Sequence, residues 1–267
     1  MPFKLNCMEK TIERAGSANE LQLLGVPKYA NGRSLPSRMG HKQLLLFTRL
    51  LLEKRPLTRE SMIAFLWPEA DEARARGSLR QALYVIREIL GNESLVANRQ
   101  TVGFRESPPT DLTRFIQAAY AGQWWEAARL YRGLLLDGVQ LKDASDADLW
   151  LELERRRVAR LFETAAIAVL RVPRGRYDEQ ERVVIARRLR DATPHSVANW
   201  RYLLEELTKL GAHDECRIEC AALGARIDTG QIDDADGAAA LLHVGQYAPT
   251  PLHELETSDQ SDSIGRR

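Results

Sequence analysis

The chain has 267 residues, 44% of them hydrophobic and 28% charged, which is the make-up of a globular protein large enough for two domains and not of a fibrous or low-complexity one. Its 38 basic and 37 acidic side chains leave a net charge of +1, its first residues lack a signal-type apolar core, and no run approaches the roughly 20 apolar residues that span a bilayer. Three cysteines are too few for a disulfide framework, so a reducing, cytoplasmic setting is expected.

The small net charge hides an uneven distribution. Residues 1–107 hold 17 Lys/Arg against 11 Asp/Glu, residues 108–229 hold 19 of each, and residues 230–267 hold 2 against 7. A basic first part followed by a balanced middle and an acidic end is a pointer to a nucleic-acid-facing start.

In chain order, residues 1–18 read as a flexible lead-in. Glu20 to Gly25 reads as a short strand, and Asn31-Gly32 as the turn that bends the chain back. From Met39 to Lys54 an apolar-rich run predicts a mostly buried helix, broken by Arg55-Pro56 because proline cannot donate the next backbone bond. Thr58 reads as the cap of a second helix through Met62, Phe65 and Leu66, closed by Pro68. A third helix is expected from Ala73 to Leu90 with Gly91-Asn92 as its stop. Leu95 to Phe104 alternates apolar, polar and apolar, a hairpin with a polar tip at Asn98-Arg99-Gln100. Strands, three helices and a hairpin is the order of a winged helix-turn-helix, assigned to residues 19–107.

Ser107-Pro108-Pro109 reads as the domain boundary, and residues 108–249 read as almost wholly helical. Asp111–Tyr120 and Trp124–Leu135 form a helical pair around Gly122, and a long helix runs from Leu149 to Leu170. Further helices follow Gly175 and Gly211, which lie 36 positions apart, near the roughly 34-residue period of tetratricopeptide helix pairs. From residue 250 to 267 the chain is polar and acidic, so a disordered tail is expected. The fold class is thus mainly α, an N-terminal winged helix with short strands followed by a tetratricopeptide-like domain.

The third helix carries the chemistry. At about 100° per residue, Ala75, Leu79, Ala82, Leu83, Ile86 and Leu90 fall within about a third of its circumference, a face to be buried. Opposite or flanking it lie Arg74, Ser78, Arg80, Gln81, Tyr84 and Arg87. Arginine pairs bidentately with guanine and glutamine with adenine, while serine and tyrosine hold phosphates, so this helix is suited to a major groove. Arg99 at the hairpin tip is placed to reach an adjacent minor groove or phosphate.

The run Lys42-Gln43-Leu44, Leu57-Thr58-Arg59-Glu60, Leu66-Trp67-Pro68-Glu69 and Ala73 to Arg87, with Gly77-Ser78-Leu79-Arg80-Gln81-Ala82-Leu83-Tyr84 at its centre, resembles the bacterial transcriptional activator domain family, regulators akin to the Streptomyces antibiotic regulatory proteins. Gly122…Ala127-Ala128-Arg129-Leu130-Tyr131 and Trp150-Leu151-Glu152 extend the resemblance, which covers about residues 20–225. It implies a response-regulator-type winged helix joined to a tetratricopeptide-like domain, binding double-stranded promoter DNA and helping RNA polymerase engage. It places DNA-facing roles at Arg74, Arg76, Arg80 and Arg87. Relatives often continue into a nucleotide-binding domain, but no Gly-x-x-x-x-Gly-Lys-Ser/Thr loop occurs in this sequence, so no ATP control and no cofactor are expected.

Other constellations read as structural. His213, Cys216 and Cys220 share one helical face and offer three zinc ligands, but no fourth is evident nearby, and cysteine is common on buried helix faces. Arg155-Arg156-Arg157 with Arg160 stands beside Glu152 and Glu154, which favours helix ion pairs over nucleic acid. Trp124 and Trp125 are adjacent, so one of them can be buried while the other points toward a neighbouring helix or a groove, with core packing expected over ligand stacking. No nucleophile elbow or metalloprotease helix motif is present, so an enzyme is not expected. The expectation is a transcription regulator, with activation as the sense of control and the helical domain serving self-association as a homodimer, an effector or another protein. The alternative is a protein-interaction scaffold whose winged helix does not bind DNA.

Overall fold

The computed structural model describes residues 20–141 and 143–245, with side chains as far as Leu242. The expected lead-in (1–18) and acidic tail (250–267) lie outside the described residues. Within them the chain is mainly helical with small antiparallel sheets near its start, consistent with a winged helix followed by a helical domain. It divides into two compact units, one running to Val169 and one from Leu170. The seam expected at Ser107–Pro109 lies inside the first unit.

The first unit opens with β1 (Leu21–Gln22) paired antiparallel to β2 (Lys28–Tyr29). The bend at Asn31-Gly32 is closed by the Tyr29 N–H donating to the Arg33 carbonyl at 2.9 Å. Next come α1 (His41–Glu53), β3 (Leu57–Thr58), α2 (Arg59–Leu66), α3 (Glu72–Leu90), β4 (Leu95–Ala97) and β5 (Thr101–Phe104). The three last strands form one antiparallel sheet in the order β3-β5-β4, with Val102 opposite both Leu57 and Ala97. β3 is too short to show any alternation in sequence and exists because β5 pairs with it. Gly103 fits closely against the Pro56 backbone, since a Cβ there would come 3.1 Å from Pro56 Cα.

Leu45, Leu46, Phe47, Met62, Leu66 and Val102 are fully buried, and the Phe47 ring meets Phe104 edge-on at 5.3 Å. Burial of side chains of this size contributes about 1.5–3 kcal/mol each. α3 inserts Ala75, Leu79, Ala82, Leu83 and Ile86 into this core. Val85 is buried as well, outside the predicted stripe, so α3 buries a wider arc than its apolar spacing indicated. Leu90, predicted on the buried face, is only half-buried at the helix end.

The same unit continues with α4 (Asp111–Tyr120), α5 (Trp124–Leu130) and α6 (Ser145–Leu170). α4 starts on a capping box between Thr110 and Thr113. The helix predicted to reach Leu135 stops at Leu130. The following backbone pairs instead with the start of the chain, Gly25 donating to Leu134 at 2.8 Å and Leu136 to Leu23 at 2.8 Å. Gly133 permits that approach, since a Cβ there would lie 3.3 Å from Gly25 Cα. Tyr131 then stacks on Phe162 of α6 at 4.0 Å. Trp124 is 37% exposed and Trp125 half-buried, so neither tryptophan is the core residue expected.

Asp111 is fully buried and accepts backbone N–H bonds from Leu23 (2.7 Å), Leu24 (3.2 Å) and Leu112 (2.8 Å). It ties the first strand to α4. Burial, opposed by these hydrogen bonds and by Arg132, pushes its carboxyl up to about 6.

The second unit consists of α7 (Glu179–Ala192), α8 (Val197–Leu210), α9 (His213–Asp228) and α10 (Ala235–Gly245), each packed on its neighbour in sequence. Arg182 and Glu206 form a bidentate ion pair at 2.9 and 2.8 Å with both side chains almost wholly buried. Arg182 also donates to the carbonyls of Leu170 and Val172, so every guanidinium edge turned inward has an acceptor.

Candidate nucleic-acid interface

Two caps and one clamp position the residues of α2, α3 and the β4–β5 hairpin. Thr58 caps α2 by accepting from the Ser61 N–H at 3.2 Å, and Asp71 caps α3 by accepting from the Arg74 N–H at 2.9 Å. Between them Trp67, the C-cap of α2, donates its N–H to the Ile63 carbonyl directly before Pro68. In the hairpin tip the Asn98 side-chain oxygen accepts from the backbone N–H groups of Gln100 (2.8 Å) and Thr101 (2.7 Å), a turn that throws Arg99 outward. Arg59, the first residue of α2, then holds the tip. Its Nε donates to the Asn98 carbonyl and its backbone N–H to that of Gln100, both at 2.8 Å.

The result is an open hollow of about 730 Å³ between the start of α2, α3 and the hairpin tip, lined by Arg59, Arg76, Arg80 and Arg99 among others. Four guanidinium groups around one hollow form a cationic cleft in which Glu60 is the one acidic lining residue. Arg76 is ion-paired to Glu72 one turn before it. Arg74, Arg80, Arg87 and Arg99 have no acidic partner among the described residues.

The eight residues singled out from the sequence are not brought to one place. Arg76, Arg80 and Arg99 share the cleft just described. Arg74 and Ser78 face the other flank of α3, in a hollow of about 750 Å³ with Lys42, Trp67, Asp143 and Asp146. Gln81 lies on that same flank with Ser78, His41 and Lys42. Tyr84 stands on the crest between, 55% exposed, its hydroxyl donating to Glu88 at 3.3 Å. Ser78 and Arg87 are half-buried, the others exposed.

Sequence reasoning passed over Arg59, whose signal was its place directly after the Thr58 cap, and Lys42, which sits over the Trp67 ring at 5.8 Å. It also passed over Asp143, just before α6, and Asp146 in the first turn of α6, which bring negative charge to the Arg74 flank. The arginine-carrying cleft and the acid-flanked hollow therefore differ in sign, and a polyanion fits the first.

The remaining candidates are structural in this geometry. Cys216 is buried with its Sγ 3.7 Å from the Thr208 hydroxyl, and burial, together with Cys216 beside it, pushes the Cys220 thiol up to about 11. Among the described residues no three His, Cys, Asp or Glu side chains are gathered to hold a metal ion. Arg156 and Arg157 pair with Glu152 and Glu154. Arg155 does not join them and donates to the carbonyls of Leu135, Leu136 and Val139, bracing the turn before α6. Among the described residues no helix is long and apolar enough to cross a membrane.

No protein-family model and no curated protein matches the chain. Among solved structures, Mycobacterium tuberculosis EmbR in complex with a low-affinity phosphopeptide is similar to it at 20% sequence identity and a TM-score of 0.48, the match covering 88% of this chain and 67% of that one. A likeness at that level carries no conclusion about activity.

Proposed function

We propose that the protein is a DNA-binding transcription regulator whose α3 enters a major groove while Arg99 and Arg59 meet the flanking backbone. The observation that carries this reading is the cationic cleft: Arg80 and Arg99, neither with an acidic partner among the described residues, face one hollow with Arg59 and Arg76 beside them. Desolvated or not, a guanidinium with no acid beside it gains by meeting phosphate or a guanine edge. Arg74, Ser78, Gln81, Tyr84 and Arg87 extend the reading surface along α3. The resemblance noted in the sequence supports promoter DNA as the target, activation as the sense of control, and a tetratricopeptide-like role for the second unit in contacting RNA polymerase or another protein.

Selection of bound sequences from a random duplex pool tests the reading directly. Enrichment of a reproducible motif is expected. Affinity for it should fall with salt at about 0.9 log unit per log unit for each phosphate neutralised. Recovery of no motif, with the purified chain folded, would remove DNA reading as the function.

A further inference from the structure

We propose that α6 is a self-association surface, on which a second copy of this chain docks as an antiparallel, two-fold-related α6. The stripe Asp146, Leu149, Leu153 and Arg156 lies on one exposed side of the helix, with Leu149 61% and Leu153 55% exposed. Their spacing of three, four and three keeps them on one line along a 3.6-residue helix. Single exposed leucines are ordinary, but two adjacent ones between opposite charges form a patterned face.

The pattern is self-complementary. Leu149 and Leu153 are equidistant from Leu151, and so are Asp146 and Arg156. Leu151 itself points the other way, into the core. When two such helices run antiparallel about a two-fold axis at that level, each Leu149 meets the partner's Leu153. Each Asp146 then meets the partner's Arg156, about 15 Å from its own Arg156 along the axis. A parallel arrangement would set Asp146 against Asp146 and Arg156 against Arg156, which disfavours it. Arg156 is engaged with Glu152 of its own helix at 3.2 Å, but an exposed pair of that kind exchanges partners at little cost. Asp146 has no ion-pair partner among the described residues. Arg160 would lie beyond the partner's first helical residue, Ser145, and meets no helical counterpart.

One helix pair covers less than the roughly 800 Å² per partner of a standard interface, so a weak, concentration-dependent dimer is expected. The association needs no DNA and stands or falls apart from the reading above.

Sedimentation equilibrium of the full chain across micromolar to submillimolar concentration tests it. The parent should pass from monomer to dimer, and Leu153→Glu should weaken the dimer at least tenfold while the helical content of the chain is kept. Asp146→Arg alone and Arg156→Asp alone should each weaken it, because both turn the paired charges into like charges. Mixing those two variants in equal amounts should restore a dimer, since each then supplies what the other lacks. A parent that stays monomeric throughout, or a mixture no more associated than its two components, overturns the proposal. Should Leu153→Glu fail to fold, the mixing experiment decides alone.

Discussion

Arginine serves two opposite ends in this molecule, and the contrast between α3 with its hairpin and α7 shows how. On α7 the arginines face acids: Arg187 meets Glu215 and Glu219, Arg190 meets Glu219 and Asp191, and Arg182 is locked to Glu206 inside the fold. Their charges are consumed by packing α7 against α8 and α9. On α3 and the hairpin tip Arg80, Arg87 and Arg99 have no acidic partner among the described residues. Both segments are rich in arginine as sequence. Only the placement of carboxylates, which tertiary structure decides, separates an internal brace from a surface left open to an anion.

The sharpest way to test the bracing half is to break the buried pair. Glu206→Gln leaves the Arg182 charge almost fully buried without its partner, and a loss of about 3–5 kcal/mol in unfolding free energy is expected. Burial alone would raise the Glu206 carboxyl, but the Arg182 hydrogen bond and charge hold it below the ordinary carboxylate range, so the pair is ionised at neutral pH. Denaturant titration followed by helical ellipticity measures the loss. Replacing both partners with apolar residues, Arg182→Met with Glu206→Leu, should recover most of it. A single variant as stable as the parent would show that the pair does not brace α7 on α8.

Asp111 sharpens the comparison from the acidic side, as a buried carboxylate with backbone donors and only a distant arginine, Arg132 at 3.9 Å. Its folded value of about 6 lies above the ordinary 3.8, so between those two the folded chain holds the proton more tightly than the unfolded one. Stability contributed by this group is therefore present at low pH and is lost as pH rises from 4 to 6, levelling off above. Asp111→Asn does not titrate. The stability of the parent minus that of the variant should fall by roughly 2 kcal/mol between pH 4 and 7. A difference that grows with pH would mean that the three N–H bonds outweigh burial, and that the carboxylate is held charged.

How much of this was legible in the residues follows from the range of the interactions. The cap at Thr58, the proline stops and the apolar arc of α3 are local, and the helices of the first hundred residues appear within a residue or two of their predicted ends. β3 and the turn after Leu130 were not legible, because each exists through pairing with a segment over forty residues away. Arg155 and Arg182 look like surface charge in sequence, and their buried roles depend on carbonyls that only the fold brings near. The α3 residues proposed to read DNA were legible as residue types. Their division between a cationic cleft and an acid-flanked hollow was not, because Asp143 and Asp146 reach the Arg74 flank from more than sixty positions along the chain.

The smallest expected effect is also the one that joins the two halves. Arg80→Ala removes an exposed guanidinium from the cleft without touching the core. Specific DNA affinity should fall by about 1–3 kcal/mol, the value of one good base contact, with the unfolding free energy unchanged. Arg187→Ala removes a half-buried, paired guanidinium and should do the reverse, leaving DNA binding intact and costing stability by about 1 kcal/mol or less. Titration of the selected duplex with both variants at one salt concentration compares them on equal terms. If the two lose the same affinity, arginine on α3 is acting only through net charge, and the distinction between an open and an answered guanidinium has no bearing on what the protein reads.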